Sequence, residues 1–371
     1  MRRSGGDGSR DESAPRPVLR PGIVSSPSDR FLRACRHEPV DVTPIWFMRQ
    51  AGRSQPEYRA LRERFSLLEI VRRPDLCAEV TLRPVQQLDV DAAVLFADIT
   101  VPLLAMGVGL ELVEDTGPRV HTPIRESSGV AGLRPFEIDE TVAALTEAIR
   151  LIRRAAPVPL IGFAGAPFTL AAYLVEGGPS RDFPLTRAFM HQEPQVWGDL
   201  MNRLTQGIVA YLQAQIRAGV QAVQLFDSWV GCLSPHDFVS NVAPYSARVL
   251  AAVAAAGVPA IHFGTNTGGL LELMAAAGGD VIGVDWRVDL GEAWRRIGLH
   301  RGIQGNLDPV VPLADVTVML ERARTILEQA AGRPGHIFNL GHGVHPQTSP
   351  SHLRRLVAFV HEYRVREPAP R

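Results

Sequence analysis

The sequence contains no lysine; all 39 of its basic residues are arginine. With no lysine amine there is no Schiff base to a carbonyl substrate or to pyridoxal phosphate, which excludes class I aldolases and pyridoxal-phosphate enzymes. A phosphate-binding P-loop is excluded for the same reason, because its lysine is missing. Cysteine is scarce: Cys35, Cys77 and Cys232 lie far apart and form no CxxC pair. That speaks against a disulfide framework or a cysteine-rich metal site and sets a reducing cytoplasm as the expected compartment. No run of 18 apolar residues is present, so no membrane-spanning helix is expected. The N-terminus lacks the apolar stretch of a secretory signal, and its acids Asp7, Asp11 and Glu12 argue against an organellar transit peptide. Net charge is also lacking, since 39 acids balance the arginines. Neither a nucleic acid nor a membrane surface is therefore expected as a partner, although a local basic pocket is compatible with this balance. Finally, no GxGxxG follows the first apolar run, which lowers a dinucleotide-binding reading.

What is present is an ordinary globular composition, 46% hydrophobic and 21% charged over 371 residues. Residues 1–29 are rich in Gly, Ser, Pro, Arg and Asp and read as a flexible tail. From there short apolar runs alternate with longer helical patterns. Expected strands are Pro44–Met48, Ala92–Phe96, Leu160–Phe163, Ala222–Phe226, Ala260–Phe263, Val281–Val284, Gly302–Gln304 and Ile337–Leu340. Near-continuous apolar character suits parallel strands buried on both faces. Helical spacing marks Asp139–Ala155, Val196–Arg217, Pro235–Ala256, Gly268–Ala277, Leu290–Ile297, Ala314–Ala331 and Ser351–Val365. Asp139 is a capping residue, and Gly298 and Gly332 are expected to close two of the helices. About eight strand–helix repeats without an internal linker predict an α/β fold, a single-domain (β/α)8 TIM barrel over residues 30–366.

Chemistry in such a barrel sits just past the C-terminal ends of the strands. Polar and glycine-rich groups recur at that place: Met48-Arg49-Gln50-Ala51-Gly52-Arg53, Phe96-Ala97-Asp98, Gly162-Phe163-Ala164-Gly165-Ala166-Pro167, Phe226-Asp227-Ser228-Trp229, His262-Phe263-Gly264 and Asn339-Leu340-Gly341-His342-Gly343. One such coincidence would mean little, but this many point to a single site lining the mouth.

These residues resemble the uroporphyrinogen decarboxylase family. The run Met48–Arg53 followed by Pro56-Glu57-Tyr58-Arg59 is similar to its N-terminal signature, and Gly162–Leu170 with Tyr173 and Val175–Gly178 to its second. Phe226–Trp229, Gln304–Pro309 and Phe338–Gly343 follow in the family's order, so the resemblance covers roughly residues 30–365. Two positions depart from the pattern: Ser54 stands in place of a bulkier Tyr or His, and His345 in place of an aliphatic residue. The resemblance implies a cytoplasmic, homodimeric barrel enzyme without metal or organic cofactor. Such an enzyme removes the four acetate carboxyls of uroporphyrinogen III as carbon dioxide and yields coproporphyrinogen III in tetrapyrrole biosynthesis.

Such a substrate carries eight carboxylates around four pyrrole N–H groups, so its site needs cations outside and an acceptor within. Arg49 and Arg53, in the loop with Gln50, Ala51 and Gly52, offer forked guanidiniums to carboxylates, and Arg62 in the next helix is a further candidate. For any single arginine a surface ion pair is the commoner role. Asp98 emerges from a buried strand; an N-cap or structural ion pair is the ordinary reading, while the resemblance makes it the carboxylate that accepts the pyrrole N–H groups. Protonating a pyrrole α-carbon makes the ring an electron sink, and a carboxylate beside that cation favours the transition state. Tyr173, Ser228 and His342 complete the candidates, each weighed against a plain structural role, and His342 sits between glycines that permit close approach of a ligand. Arg49 is a possible proton donor by resemblance, yet a guanidinium holds its proton too tightly to be a good acid, so the donor stays open. Competing readings are a binding module and a zinc-dependent, corrinoid-linked methyltransferase on the same barrel. The latter needs thiolate and imidazole ligands, and His262 has no neighbouring Cys.

Overall fold

The computed structural model describes residues 28–114 and 116–364. Residues 1–27 of the expected tail, and residues 365 and 366 at the end of the expected domain, lie outside the described residues.

Apolar runs between helices form a parallel sheet because both of its faces are covered. Its strands, with an antiparallel hairpin inserted after the first, are β1 (Ala93–Val94), β2 (Leu110–Val113), β3 (Gly117–Val120), β4 (Leu160–Gly165), β5 (Ala222–Asp227), β6 (Ala260–Gly264), β7 (Val281–Gly283), β8 (Gly302–Gln304) and β9 (His336–Ile337). Seven of them pair in the order β1-β4-β5-β6-β7-β8-β9, all parallel, as a curled sheet; β2 and β3 pair only with each other. Every residue of β4 and β6 is buried, which is why these runs show no polar alternation. The molecule is an α/β fold.

The segment Pro44–Met48, expected as a regular strand, makes a single parallel bridge, Ile45 to Phe338. Phe338 N donates to Pro44 O at 2.8 Å, and on the other flank Asp91 N donates to Ile45 O at 2.8 Å. Beyond Trp46 the ladder stops because side chains take the backbone groups: Phe47 N donates to Gln50 Oε1 and Met48 N to Asn339 Oδ1. The run Ala92–Phe96 likewise shortens to Ala93–Val94. Phe96 is held instead by the Pro74–Leu88 helix, its N–H donating to Thr81 Oγ1 and its carbonyl accepting from Cys77 Sγ. The last strand starts one residue earlier than expected, at His336, and Leu340 contributes only a bridge to Leu307. The β2–β3 hairpin was not expected at all.

The helices follow their apolar spacing. Asp139 caps Glu140–Ala155, its Oδ1 accepting from Val142 N at 2.8 Å. Two expectations need correcting. The stretch Pro235–Ala256 is two helices, Pro235–Asn241 and Ala243–Ala255, bent by 57° at Val242. Pro244 has no N–H to continue the first helix and is well placed in the first turn of the second. The left-handed step expected at Gly332 begins one residue earlier, at Ala331 (φ 53°). Among the described residues no single helix is long and apolar enough to cross a membrane.

Below the strand ends, a chain of buried polar side chains links the Pro44–Met48 segment to β8 and β5. Trp46 Nε1 donates to Gln304 Oε1, Gln304 Nε2 to Gln224 Oε1, and Gln224 Nε2 to Met48 Sδ. At the other end of the strands Asp91, 3% exposed, joins the two ends of the described chain. It accepts from Arg30 Nη1 at 2.7 Å and from Ile45 N at 2.7 Å, and His361 Nε2 lies 2.8 Å away.

Candidate active site

A cavity of about 440 Å³ opens at the C-terminal ends of the strands. Three phenylalanines that stand near the ends of neighbouring strands form its apolar wall. Phe163, Phe226 and Phe263 meet edge to face, with ring centroids 5.5 and 5.8 Å apart. The β2–β3 hairpin contributes Leu112 and Val113, with Glu114 and Thr116 from its turn.

The loop after Met48 supplies the cations. Arg49 is exposed and adopts a left-handed backbone (φ 60°), which turns the chain sharply at the mouth. Its side chain lies flat on Gly343, where a Cβ would come within 2.5 Å of Arg49 Cδ. Gly52 closes the same turn, with room for no Cβ against the carbonyl of Arg49 (2.8 Å). Arg49, Ala51, Gly52 and Arg53 all line the cavity. Arg62 reaches it from the Pro56–Arg62 helix, its Nη1 3.5 Å from Tyr58 Oη and its Nη2 3.9 Å from Glu114 Oε2. Three guanidiniums thus share one cavity with two carboxylates, Asp98 and Glu114.

Gln50 is not part of the lining. It is 1% exposed, accepts from Phe47 N and donates from Nε2 to Ala92 O at 3.1 Å. The left-handed turn at Arg49 sends Gln50 inward, where it ties the first segment to the start of β1.

Asp98 leaves the end of β1 half-buried and lines the cavity. Its Oδ1 accepts from Thr100 N at 2.9 Å and from Thr100 Oγ1 at 2.5 Å. It is not a helix cap: the following helix, Val101–Ala105, has Thr100 at that position. Tyr173, on the Pro167–Glu176 helix, is 5% exposed and packs edge-on against Trp229 at 6.0 Å. Burial, and then the negative charge of Asp98, push its phenol above the ordinary tyrosine range, so it keeps its proton and can donate. Ser228 is buried at the end of β5, its carbonyl held by Thr265 Oγ1 at 2.6 Å. His342 is pushed down to about 4 by burial, aided by the neighbouring charges of Arg49 and Arg287. At neutral pH it is an uncharged donor or acceptor rather than a fourth cation.

Asp98, Tyr173, Ser228 and His342 therefore line the same cavity as Arg49, Ala51, Gly52, Arg53 and Arg62. Ser54 and His345, the two departures from the family pattern, do not. His262 faces away from it, fully buried, with Nε2 3.3 Å from Asp227 Oδ2. Sequence reasoning missed the aromatic wall and the hairpin. The phenylalanines were readable as a common position near three strand ends; the hairpin's signal was the polar–apolar alternation of Leu110-Glu111-Leu112.

A profile of the family described as Uroporphyrinogen decarboxylase (URO-D) matches residues 26–363. The chain belongs to the uroporphyrinogen decarboxylase family. It is 53% identical over 335 residues to the uroporphyrinogen decarboxylase of Sorangium cellulosum, covering 90% of this chain and 96% of that one. It is 54% identical over 337 residues to that of Streptomyces griseus subsp. griseus, covering 91% and 92%. Among solved structures, a methyltransferase from Methanosarcina mazei superposes with a TM-score of 0.71 at 20% identity, over 90% of this chain and 98% of that one. A B12-independent methionine synthase from a Shewanella species gives 0.54 at 11% identity, over 77% and 86%. At these identities the two structures speak for the fold alone.

Proposed function

We propose that this protein is a uroporphyrinogen decarboxylase, which removes the four acetate carboxyls of uroporphyrinogen III as carbon dioxide and releases coproporphyrinogen III. The observation that carries the reading is the company Asp98 keeps: a carboxylate at a strand end, in one cavity with Arg49, Arg53 and Arg62. The arginines bind side-chain carboxylates of the substrate through forked hydrogen bonds. Asp98 accepts the pyrrole N–H groups. Proton transfer to a pyrrole α-carbon makes that ring cationic, the carbon–carbon bond to the departing carboxylate breaks, and the ring receives its electron pair, leaving an exocyclic methylene. A proton then adds to that methylene to make the methyl group, and the proton on the α-carbon is given up, which restores the neutral pyrrole. A fixed negative charge beside the ring interacts more strongly with this cation than with the neutral substrate, which lowers the barrier. Tyr173 and Ser228 offer hydroxyls, and neutral His342 a ring N–H, for orienting the acetate and propionate arms. The phenylalanine wall keeps water from the developing charge.

The same reading closes the sheet into a (β/α)8 barrel, with Pro44–Met48 as the eighth staves' backbone; its bonds to Phe338 on one side and Asp91 on the other support this. A homodimer in a cytoplasmic setting belongs with it, and the free thiols of Cys35, Cys77 and Cys232 suit a reducing compartment. The methyltransferase alternative gains nothing from the site: among the described residues no group of three or more His, Cys, Asp or Glu side chains is placed to hold a metal ion.

The test is to supply purified protein with uroporphyrinogen III anaerobically and to follow the products by chromatography. Coproporphyrinogen with stepwise carbon dioxide release is the expected result. Substrate that binds and is returned unchanged would make the protein a tetrapyrrole-binding module instead.

A further inference from the structure

A threonine at the start of a helix ordinarily turns its oxygen toward a first-turn backbone N–H and caps it. Thr100 stands at that position before Val101–Ala105, yet its side chain makes no capping bond. Pro102 removes one of the N–H groups it would cap. The hydroxyl turns back instead and donates to Asp98 Oδ1 at 2.5 Å, beside the Thr100 backbone N–H, which donates to the same oxygen at 2.9 Å. Thr100 is 1% exposed and does not line the cavity. It touches nothing that binds there, and water does not compete for its hydroxyl.

Two donors on one carboxylate oxygen do two things. They leave the lone pairs of Oδ2 as the acceptor for a ligand. They also fix the plane of the carboxylate, because rotation of the group would break both bonds. A hydrogen bond from a buried donor to a charged acceptor is stronger than one in water, so this hold is firm. An Asp-to-backbone turn bond is a common loop device and would need only the N–H. The buried hydroxyl, diverted from the helix it precedes, is the part that a loop turn alone does not call for.

We propose that Thr100 is a positioning residue for the decarboxylation: through its hydroxyl it holds Asp98 Oδ1 so that Oδ2 is aimed at the substrate ring. The proposal rests on the decarboxylase reading. The aim of Oδ2 matters most when the ring becomes cationic, so the hydroxyl acts on kcat rather than on binding.

The full-length protein is assayed anaerobically with uroporphyrinogen III as wild type, Thr100→Val and Thr100→Ser. Val keeps the shape and the backbone donor but loses the hydroxyl; Ser keeps the hydroxyl. Expected is a kcat about tenfold lower for Thr100→Val with KM within about twofold, and a kcat within about twofold of wild type for Thr100→Ser. If Thr100 only stabilised the loop, Thr100→Val would melt earlier while keeping the wild-type kcat well below its melting point, and that result overturns the proposal. A changed KM at constant kcat, or a Ser variant as slow as Val, overturns it too. Should Thr100→Val not fold, Thr100→Ala takes its place against Thr100→Ser with the same readings. An inactive wild type would instead strike down the decarboxylase reading itself, before any variant is compared.

Discussion

At the scale of single residues, Asp98 is the position on which the reading turns. Asp98→Asn leaves an oxygen to accept from Thr100, so the loop has its bonds and the fold should lose little. The amide nitrogen then faces the cavity, a donor where pyrrole N–H groups need an acceptor, and the charge is gone. The expected outcome is a thermal midpoint close to wild type with kcat/KM about 30- to 1,000-fold lower, equivalent to roughly 2–4 kcal/mol of transition-state stabilisation. Measuring kcat/KM beside a melt decides it, and a stable variant with near-normal turnover would return Asp98 to a structural role. Arg53→Lys separates charge from geometry: a point ammonium cannot form the paired fork. KM should rise about tenfold, about 1.4 kcal/mol of lost binding, while an unchanged KM would reassign Arg53 to the loop. Gln50 shows where sequence stops short at this scale. It stands inside the contiguous run Met48–Arg53, and nothing in that run tells which side chains face the cavity. The left-handed backbone at Arg49 decides it, and a non-glycine residue gives little notice of such a turn. Thr100 escaped for a related reason, since the direction of a hydroxyl is a property of the folded loop.

At the scale of elements, periodicity carried the buried strands and the amphipathic helices. Strands β4, β5 and β6 lie where continuous apolar runs placed them, and Asp139 caps its helix as the local pattern requires. Asp139→Ala should accordingly lower stability by about 1 kcal/mol through loss of the bond to Val142 N, with kcat/KM unchanged below the melting range. A chemical-denaturation midpoint equal to wild type would show that the cap contributes nothing. The elements that sequence misjudged are those in which side chains replace the ladder. Phe47 N and Met48 N bond to Gln50 and Asn339, residues 3 and 291 positions away, so a β-like run there ends as a loop. The break at Val242 was legible in Pro244 and was outweighed by the apolar spacing on either side. Hairpin β2–β3 is short, half-exposed and outside the main sheet, where alternation over four residues is a weak signal.

At the scale of the whole molecule, acidity tests how the buried histidines are housed. His336, 3% exposed in β9, sits against Trp294 and Phe338 with Nε2 3.1 Å from the carbonyl of Gly305. That nitrogen faces an acceptor and so carries the ring proton, while Nδ1 is buried without a partner. A second proton would have to go onto Nδ1 in an apolar setting. Burial accordingly pushes His336 down to about 4, with the nearby charge of Arg333 in the same direction. The sign follows from proton uptake. The unfolded chain protonates this imidazole as pH falls through about 6.5, whereas the folded chain waits until about 4, so between these values the unfolded state binds more protons. Stability from this site is complete above about pH 6.5, falls as the solution is acidified, and levels off below about pH 4. The full loss is on the order of 3 kcal/mol, of which about 2 kcal/mol is spent by pH 5. His342, pushed down to about 4 as well, adds in the same direction. Urea unfolding at about pH 7.5 and about pH 5 measures the loss summed over every group that titrates in that window, and His336→Gln isolates one site. Gln can still donate to the Gly305 carbonyl but does not titrate, so the variant should lose about 2 kcal/mol less than wild type between the two conditions. An equal loss in both proteins would mean that His336 takes its proton in the folded state as readily as in water, so that its burial does not hold its proton affinity down.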